Sequence, residues 1–266
     1  MTLQNRSLDR GIAVIEALAR GGAMSLADLH RATGLPKSTI RRLLATLTRR
    51  RFVHRSLADG RYRAAVTLPD LSAEPVPPRL ALIADAALPR ALELTAKMGW
   101  PSDIQVLDGI AMRIVDSTRP ASPFHLYRGQ INRRVSLWGS ATGLACLAAM
   151  PDAEVERLHR ETEGDTTWGL ARFGMTLTEF LKERALAQAR GYGARLAIYL
   201  GETVLDDALH AIAVPLTLNG APVGGLSLLW PRSFKSVAEF ADAHAGALRR
   251  TAAAISTDLD RLSATP

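Results

Sequence analysis

The chain holds one cysteine, Cys146, so no internal disulfide can form. That usage fits a reducing compartment, and a cytoplasmic location is expected. No run of roughly 18 apolar residues occurs, so no membrane span is expected. The opening stretch MTLQNRSLDRG lacks an apolar h-region and does not read as a secretory signal. Low-complexity tracts and repeats at solenoid periods are missing too. So are catalytic signatures. The six histidines (His30, His54, His125, His159, His210 and His244) fall into neither H-x-H nor H-E-x-x-H spacing, and there is no P-loop and no G-x-S-x-G. Cys146 lies in the apolar stretch GLACLAAM, where a buried cysteine is inert. No metal, no cofactor and no enzymatic activity are expected.

What the sequence has is positive charge in one place. The 266 residues carry a net charge of +7. Residues 1–66 hold 13 Lys/Arg against four Asp/Glu, a net +9, and the remaining residues sum to −2. A basic module on a near-neutral body is the electrostatic footprint of a polyanion binder.

The hydrophobic periodicity divides the chain. SLDRGIAVIEALAR has helical spacing at Leu8, Ile12, Ile15 and Leu18 and is stopped by Gly21-Gly22. MSLADLHRATG starts a second helix, with Ser25 as its cap, Asp28 in its first turn and Gly34 as its stop. Pro36 opens a third helix, where its missing N–H costs nothing. In RFVHRSLADGRYRAA, Phe52-Val53 and Tyr62 read as a hairpin turning at Asp59-Gly60. Three helices and a hairpin make a winged helix-turn-helix over residues 1–66, with a core of Leu8, Ile12, Ile15, Leu29, Ile40, Leu43, Leu44 and Leu47. Residues 67–79 are proline-rich and read as a linker. Residues 80–266 read as a helix bent at Pro89, two strands around Asp108-Gly109, a helix entered through GSATG, and two amphipathic helices. A strand YGARLAIYL, a hairpin around Asn219-Gly220 and a closing helix follow. The expected fold class is α+β, a winged helix-turn-helix joined to an α/β sensor-like domain.

The third helix carries the DNA-reading constellation. Ile40, Leu43, Leu44 and Leu47 follow i, i+3, i+4, i+7 and face inward. The opposite stripe holds Ser38, Arg41, Arg42, Ala45 and Arg49, with Lys37 and Thr39 at its start, and no acid lies between Lys37 and Arg50. In a helix-turn-helix this N-terminal part enters the major groove, where arginine pairs bidentately with guanine. Arg49, Arg50 and Arg51 suit either phosphate contact or the negative end of the helix dipole. Arg61 and Arg63 alternate on the wing strand as phosphate or minor-groove contacts. Double-stranded operator DNA is the expected partner.

The stretches SLDRGIAVIEAL, GLPKSTIRRLLATL, FVHRS, YRAA, GSATGLACLA and IAVPLTLNGAPVGGLSL resemble IclR-family transcriptional regulators over nearly the whole chain. WPSDIQVLDG and SPFHLYRGQINRR look most like regulators of aromatic-acid catabolism, such as hydroxyphenylpropionate degradation. The resemblance implies a GAF-like effector-binding domain, a small carboxylic acid as effector, and homodimers or homotetramers on palindromic operators. The proline-rich linker departs from the family pattern.

Two readings stand for WGSATG: a plain capping loop, or a carboxylate site at a helix N-terminus formed by Gly139 and Ser140. The resemblance implies the second, and it places pocket residues at His210, Ser227 and Leu229. If the Asn219-Gly220 loop is symmetric, His210 lies near Leu229, with Ser227 one step along that face. A cation-capable His210 beside an apolar Leu229 suits an aromatic acid. His125, Arg128, Arg133 and Arg134 precede this loop, and any one of them is a candidate to pair with the carboxylate, with His125 and Arg134 the expected ligand residues. Trp100 and Trp138 read as core residues before pocket walls. The rival readings are a DNA-binding protein whose second domain only oligomerises, and an enzyme fused to a DNA-binding module.

Overall fold

The computed structural model describes residues 5–56, 59–65, 78–124, 131–202 and 207–264. The chain divides into two units, Met1–Pro69 and Asp70–Pro266. The expected linker residues 67–77 lie outside the described residues. A helix already runs from Pro78, inside the stretch read as linker, because proline is well suited to a first helical position.

In the first unit, helix α1 (Arg6–Gly21) starts at Asn5, whose side chain accepts from the amides of Ser7 and Leu8. Helix α2 (Leu26–Thr33) starts with a reciprocal capping box: Asp28 N–H donates to Ser25 Oγ, and Ser25 N–H donates to Asp28. It ends at Gly34, whose φ of 68° is left-handed and needs a glycine. Helix α3 (Lys37–Arg49) follows Pro36. Strands β1 (Val53–Arg55) and β2 (Tyr62–Ala64) pair antiparallel as a short wing. The core is Val14, Ala17, Leu18, Leu29, Ile40, Leu44 and Val53, with Leu43 and Leu47 packed on it. Leu8 and Ile12 are a correction to the expected core: they are exposed at 63% and 42%. α1 turns Gly11, Val14 and Leu18 inward instead, and the small Gly11 lets α1 approach Leu43.

The second unit is built on an antiparallel six-stranded sheet of order β5-β4-β3-β8-β7-β6. In chain order the elements are α4 (Pro78–Met98), β3 (Ser102–Asp108), β4 (Ala111–Ser117), β5 (Arg134–Ser136), α5 (Ala141–Ala149) and α6 (Asp152–Glu161). α7 (Leu177–Arg190), β6 (Gly193–Ala194), β7 (Leu209–Leu218), β8 (Ala221–Pro231) and α8 (Val237–Ala264) complete it. Strand alternation sorts the side chains. Ile104, Val106, Ile212, Val214, Leu226, Leu228 and Trp230 pack under α4 and α8. Ala211, Ala213 and Leu229 face α5 on the other side, against Ala141 and Ala145. α5 also packs with α6, α7 and β4 through Leu144, Leu147, Val155, Phe180 and Met112. Its seat is tight: a Cβ on Gly143 would lie 1.9 Å from the Leu137 carbonyl oxygen.

Two expectations change here. YGARLAIYL is not one strand, since only Gly193–Ala194 pairs in the sheet. Leu196 N–H donates to the Gly139 carbonyl instead, which draws the chain off the sheet and over the start of α5. The β7–β8 hairpin is also asymmetric. Leu218 pairs with Ala221 and Thr217 with Pro222, but Leu216 then pairs with Gly224. One extra residue, Val223, enters β8 as a bulge, so His210 lies opposite Trp230 and Ala211 opposite Leu229.

Candidate nucleic-acid face and ligand cavity

On α3, Lys37, Ser38, Arg41 and Arg42 are exposed and Thr39 half-buried, while Ile40 and Leu44 are fixed in the core. Among the described residues, Lys37, Arg41 and Arg42 enter no ion pair, and the first turn of α3 holds no acid. A cationic face without internal partners can be neutralised by phosphate or base edges. The wing arginines differ. Arg63 donates to both carboxylate oxygens of Asp59, at 3.2 and 2.5 Å. Arg61 donates to the Ala23 carbonyl at 3.1 Å and lies 3.6 Å from Asp28. These two are oriented by protein partners, and both remain partly exposed.

The second unit contains a cavity of about 70 Å³ between the α5 face of the sheet and the start of α5. Asp103 and Gln105 from β3, Ser227 and Leu229 from β8, and Ser140, Ala141 and Thr142 at the helix start line it. Arg119, Arg133, Arg195, Tyr199, Glu202 and Asp207 close its polar side. Strand alternation explains the strand residues: positions 103 and 105 share one face, as do 227 and 229.

The charges are arranged in pairs. Arg119 Nη2 lies 2.7 Å from Asp103 Oδ2, and both side chains are buried. Arg195 Nη1 donates to Asp207 Oδ1 at 2.6 Å and to the Leu209 carbonyl. Glu202 Oε1 accepts from the Ser136 amide at 2.8 Å and from the Tyr199 hydroxyl at 2.7 Å, and Arg172 donates to both of its oxygens. Arg133 donates to the Glu202 carbonyl. Burial, with Glu202 beside it, pushes the Tyr199 phenol well above its ordinary range, so it stays a neutral donor.

Of the residues expected at a ligand site, Ser140, Ser227 and Leu229 line this cavity. Gly139 adjoins it without lining it. Its amide donates to Ser136 Oγ at 3.1 Å, the Ser140 amide goes to the Ser136 carbonyl, and Ser140 Oγ accepts from the Gly143 amide. The capping reading of this loop therefore describes its amides, and Phe173 and Tyr199 fill the space a side chain at Gly139 would need. His210 is a correction. The bulge turns it to the α4/α8 face, where its ring lies 5.5 Å from that of Trp230. Burial, then Arg195, hold its imidazole below the usual value, which disfavours the cationic form. Arg134 is another correction: it lies over the Trp168 ring and donates to the Asp108 carbonyl, outside the cavity. Its neighbour Arg133, just before β5, is the one that lines the cavity. His125 and Arg128 lie outside the described residues. Trp100 stacks on Phe124 at 4.2 Å, and Trp138 packs edge-on to Phe180, both as core residues.

Sequence reasoning missed Asp103, Gln105, Arg119, Thr142, Arg195, Tyr199, Glu202 and Asp207. One signal was available for the first two. Asp103 and Gln105 stand at alternate positions of a largely apolar strand stretch, DIQV, that is buried on both faces, so they must face something polar.

Comparison with known proteins agrees with this architecture. Residues 7–56 match the IclR helix-turn-helix domain. The chain is 28% identical over 157 residues to the probable transcriptional regulator SauR of Cupriavidus necator, covering 58% of this chain and 60% of that protein. It is 24% identical over 163 residues to the HTH-type transcriptional regulator KipR of Bacillus subtilis, covering 61% and 64%. The chain thus spans less than two thirds of the length of either relative. Among solved structures, Thermotoga maritima IclR superposes with a TM-score of 0.56 at 17% identity, covering 96% of this chain and 99% of that one. An IclR homologue from Microbacterium hydrocarbonoxydans complexed with 4-hydroxybenzoate gives 0.51 at 22% identity, covering 95% and 98%. Residues 7–56 are thus similar to an IclR-type helix-turn-helix domain, and the chain has an IclR-like fold.

Proposed function

We propose that this chain is an IclR-type transcriptional regulator that binds operator DNA and responds to a small carboxylic acid, with aromatic acids as the class to test first. The observation that carries the reading is the acid-free cationic start of α3 within a helix-turn-helix domain of this type. Lys37, Ser38, Thr39, Arg41 and Arg42 are assigned to the major groove, and Arg61 and Arg63 to the flanking backbone. A two-fold oligomer would present two such helices to a palindrome.

The ligand half of the proposal rests on the arginine-lined cavity. A carboxylate seated near Arg133, Arg195 and the first turn of α5 would gain charge-assisted hydrogen bonds. The cavity's volume of about 70 Å³ is roughly half the ~150 Å³ that admits benzene. A ring-bearing acid must therefore enlarge it, and the pairs made by Glu202 and Asp207 are the contacts to be exchanged. Because the ligand would bind the enlarged form better, it would shift the population of that form.

Fluorescence anisotropy on the DNA just upstream of the chain's own gene, over a salt series and with a panel of aromatic acids, tests this. The expected result is an acid that changes affinity for that DNA and not for random DNA. Binding that is salt-steep, blind to sequence and indifferent to every acid would leave only a basic DNA-binding module.

A further inference from the structure

Two buried polar atoms in the cavity wall have no partner among the described residues: Gln105 Oε1 and Thr142 Oγ1. Gln105 is 7% exposed and Thr142 1%. They come from different elements, β3 and the first turn of α5, and both line the cavity. Gly225 brings them together. It is the cross-strand partner of Gln105, so the Gln105 side chain leaves the sheet on the face where a Gly225 side chain would stand. A Cβ at Gly225 would lie 2.6 Å from Thr142 Cγ2. The threonine methyl occupies the space the glycine leaves, beside the glutamine. The rest of the polar wall is satisfied differently, since Ser227 Oγ donates to the Asp103 carbonyl and Ser140 Oγ caps α5.

Unpaired buried polar atoms destabilise a fold, and natural chains satisfy nearly all of them. Two in one small cavity, on either side of Gly225, suit a group that arrives with the ligand. A hydroxyl fits both: its O–H donates to Gln105 Oε1, while its oxygen accepts from the Thr142 hydroxyl. We propose that Gln105 and Thr142 form a hydroxyl-reading pair, so that the cavity selects hydroxylated carboxylic acids over their unsubstituted counterparts. This rests on the reading of the cavity as a ligand site and adds a second recognition element to its arginines. A site built to hydrogen-bond a hydroxyl discriminates strongly against the analogue lacking it, because its own polar groups are then left unpaired.

The test uses matched acids on the full chain by titration calorimetry: benzoate against its 3- and 4-hydroxy derivatives, and propionate against lactate. The wild type should bind the hydroxylated member of a pair at least about tenfold tighter. Gln105→Leu should bring that ratio close to one, and Thr142→Val should lower it. A second readout needs no ligand. Replacing an unpaired buried acceptor by an apolar group should raise Tm of the ligand-free protein, by about 2–4 °C. A ratio near one in the wild type overturns the proposal and leaves the cavity as an acid site. A ratio that survives both substitutions also overturns it, as does a fall in Tm in both variants, which would tie these atoms to a structural water. If no acid of either kind binds, the sensing reading fails and the hydroxyl pair with it.

Discussion

The Tyr199 hydroxyl donates to Glu202 Oε1 at 2.7 Å, inside a ring of donors that also includes the Ser136 amide and Arg172. One carboxylate thus ties the segment after β6 to β5 and to the loop before α7. Glu202→Ala leaves the Arg172 guanidinium and the Ser136 amide without this acceptor. We expect a loss of about 2–3 kcal/mol, and about 1 kcal/mol for Tyr199→Phe, read as shifts in the urea midpoint. Equal midpoints for Glu202→Ala and wild type would show that the ring holds nothing together.

The Asp103–Arg119 pair is more deeply placed, with side chains 1% and 7% exposed. Asp103→Ala removes this carboxylate from beside a buried guanidinium and should cost about 3–5 kcal/mol. Equilibrium unfolding measures this, and a cost below about 1 kcal/mol would mean that the pair is solvated in solution.

The capping box of α2 sets a pH dependence. The Ser25 amide and hydroxyl, with Arg31, lower the Asp28 carboxyl to about 2. A depressed carboxylate stabilises the fold above its unfolded pKa and loses that contribution as the pH falls through the folded value. The difference in urea midpoint between wild type and Asp28→Asn should be complete above about pH 4 and vanish as the pH passes down through about 2. A constant difference across that window would contradict the assignment.

Backbone contact at the cavity leaves no room at Gly143, where a Cβ would meet the Leu137 carbonyl. Gly143→Ala should destabilise by about 3 kcal/mol or more, since the obstacle is backbone that cannot turn aside. Thermal unfolding of the variant at the wild-type temperature would refute this.

At the DNA face, Arg42→Ala should weaken specific binding by about 1–3 kcal/mol and relax base preference at one operator position. Arg63, already paired with Asp59, should mainly change the salt dependence when replaced. Unchanged operator preference in Arg42→Ala, measured by competition between DNA variants, would remove it from the base-reading set.

Much of the first unit was legible because its signals are local. The Ser25/Asp28 cap, the Gly34 stop and the Ile40–Leu47 seam each lie within one helix or turn. The α1 face was misread because Leu8 and Ile12 share helical spacing with true core residues, and only packing against α3 shows which stripe turns inward. In the second unit, the β3–β4 hairpin followed from its turn, whereas Ser227 and Leu229 were implied by the family resemblance. His210 failed by one bulge residue, since a single insertion moves a side chain to the other face. Arg119, Arg195, Glu202 and Asp207 carry no local mark; only the packing of separate stretches of the chain brings them to one cavity.

The most direct test of the whole account is a coupling measurement. The affinity of the full chain for its best-binding acid is determined twice, once free and once saturated with the DNA upstream of its gene. The account predicts different affinities, with a ratio equal to the factor by which the acid changes DNA affinity, as linkage requires. Equal acid affinities in the two states would mean that the cavity and the DNA face do not communicate, and the sensing mechanism would be wrong.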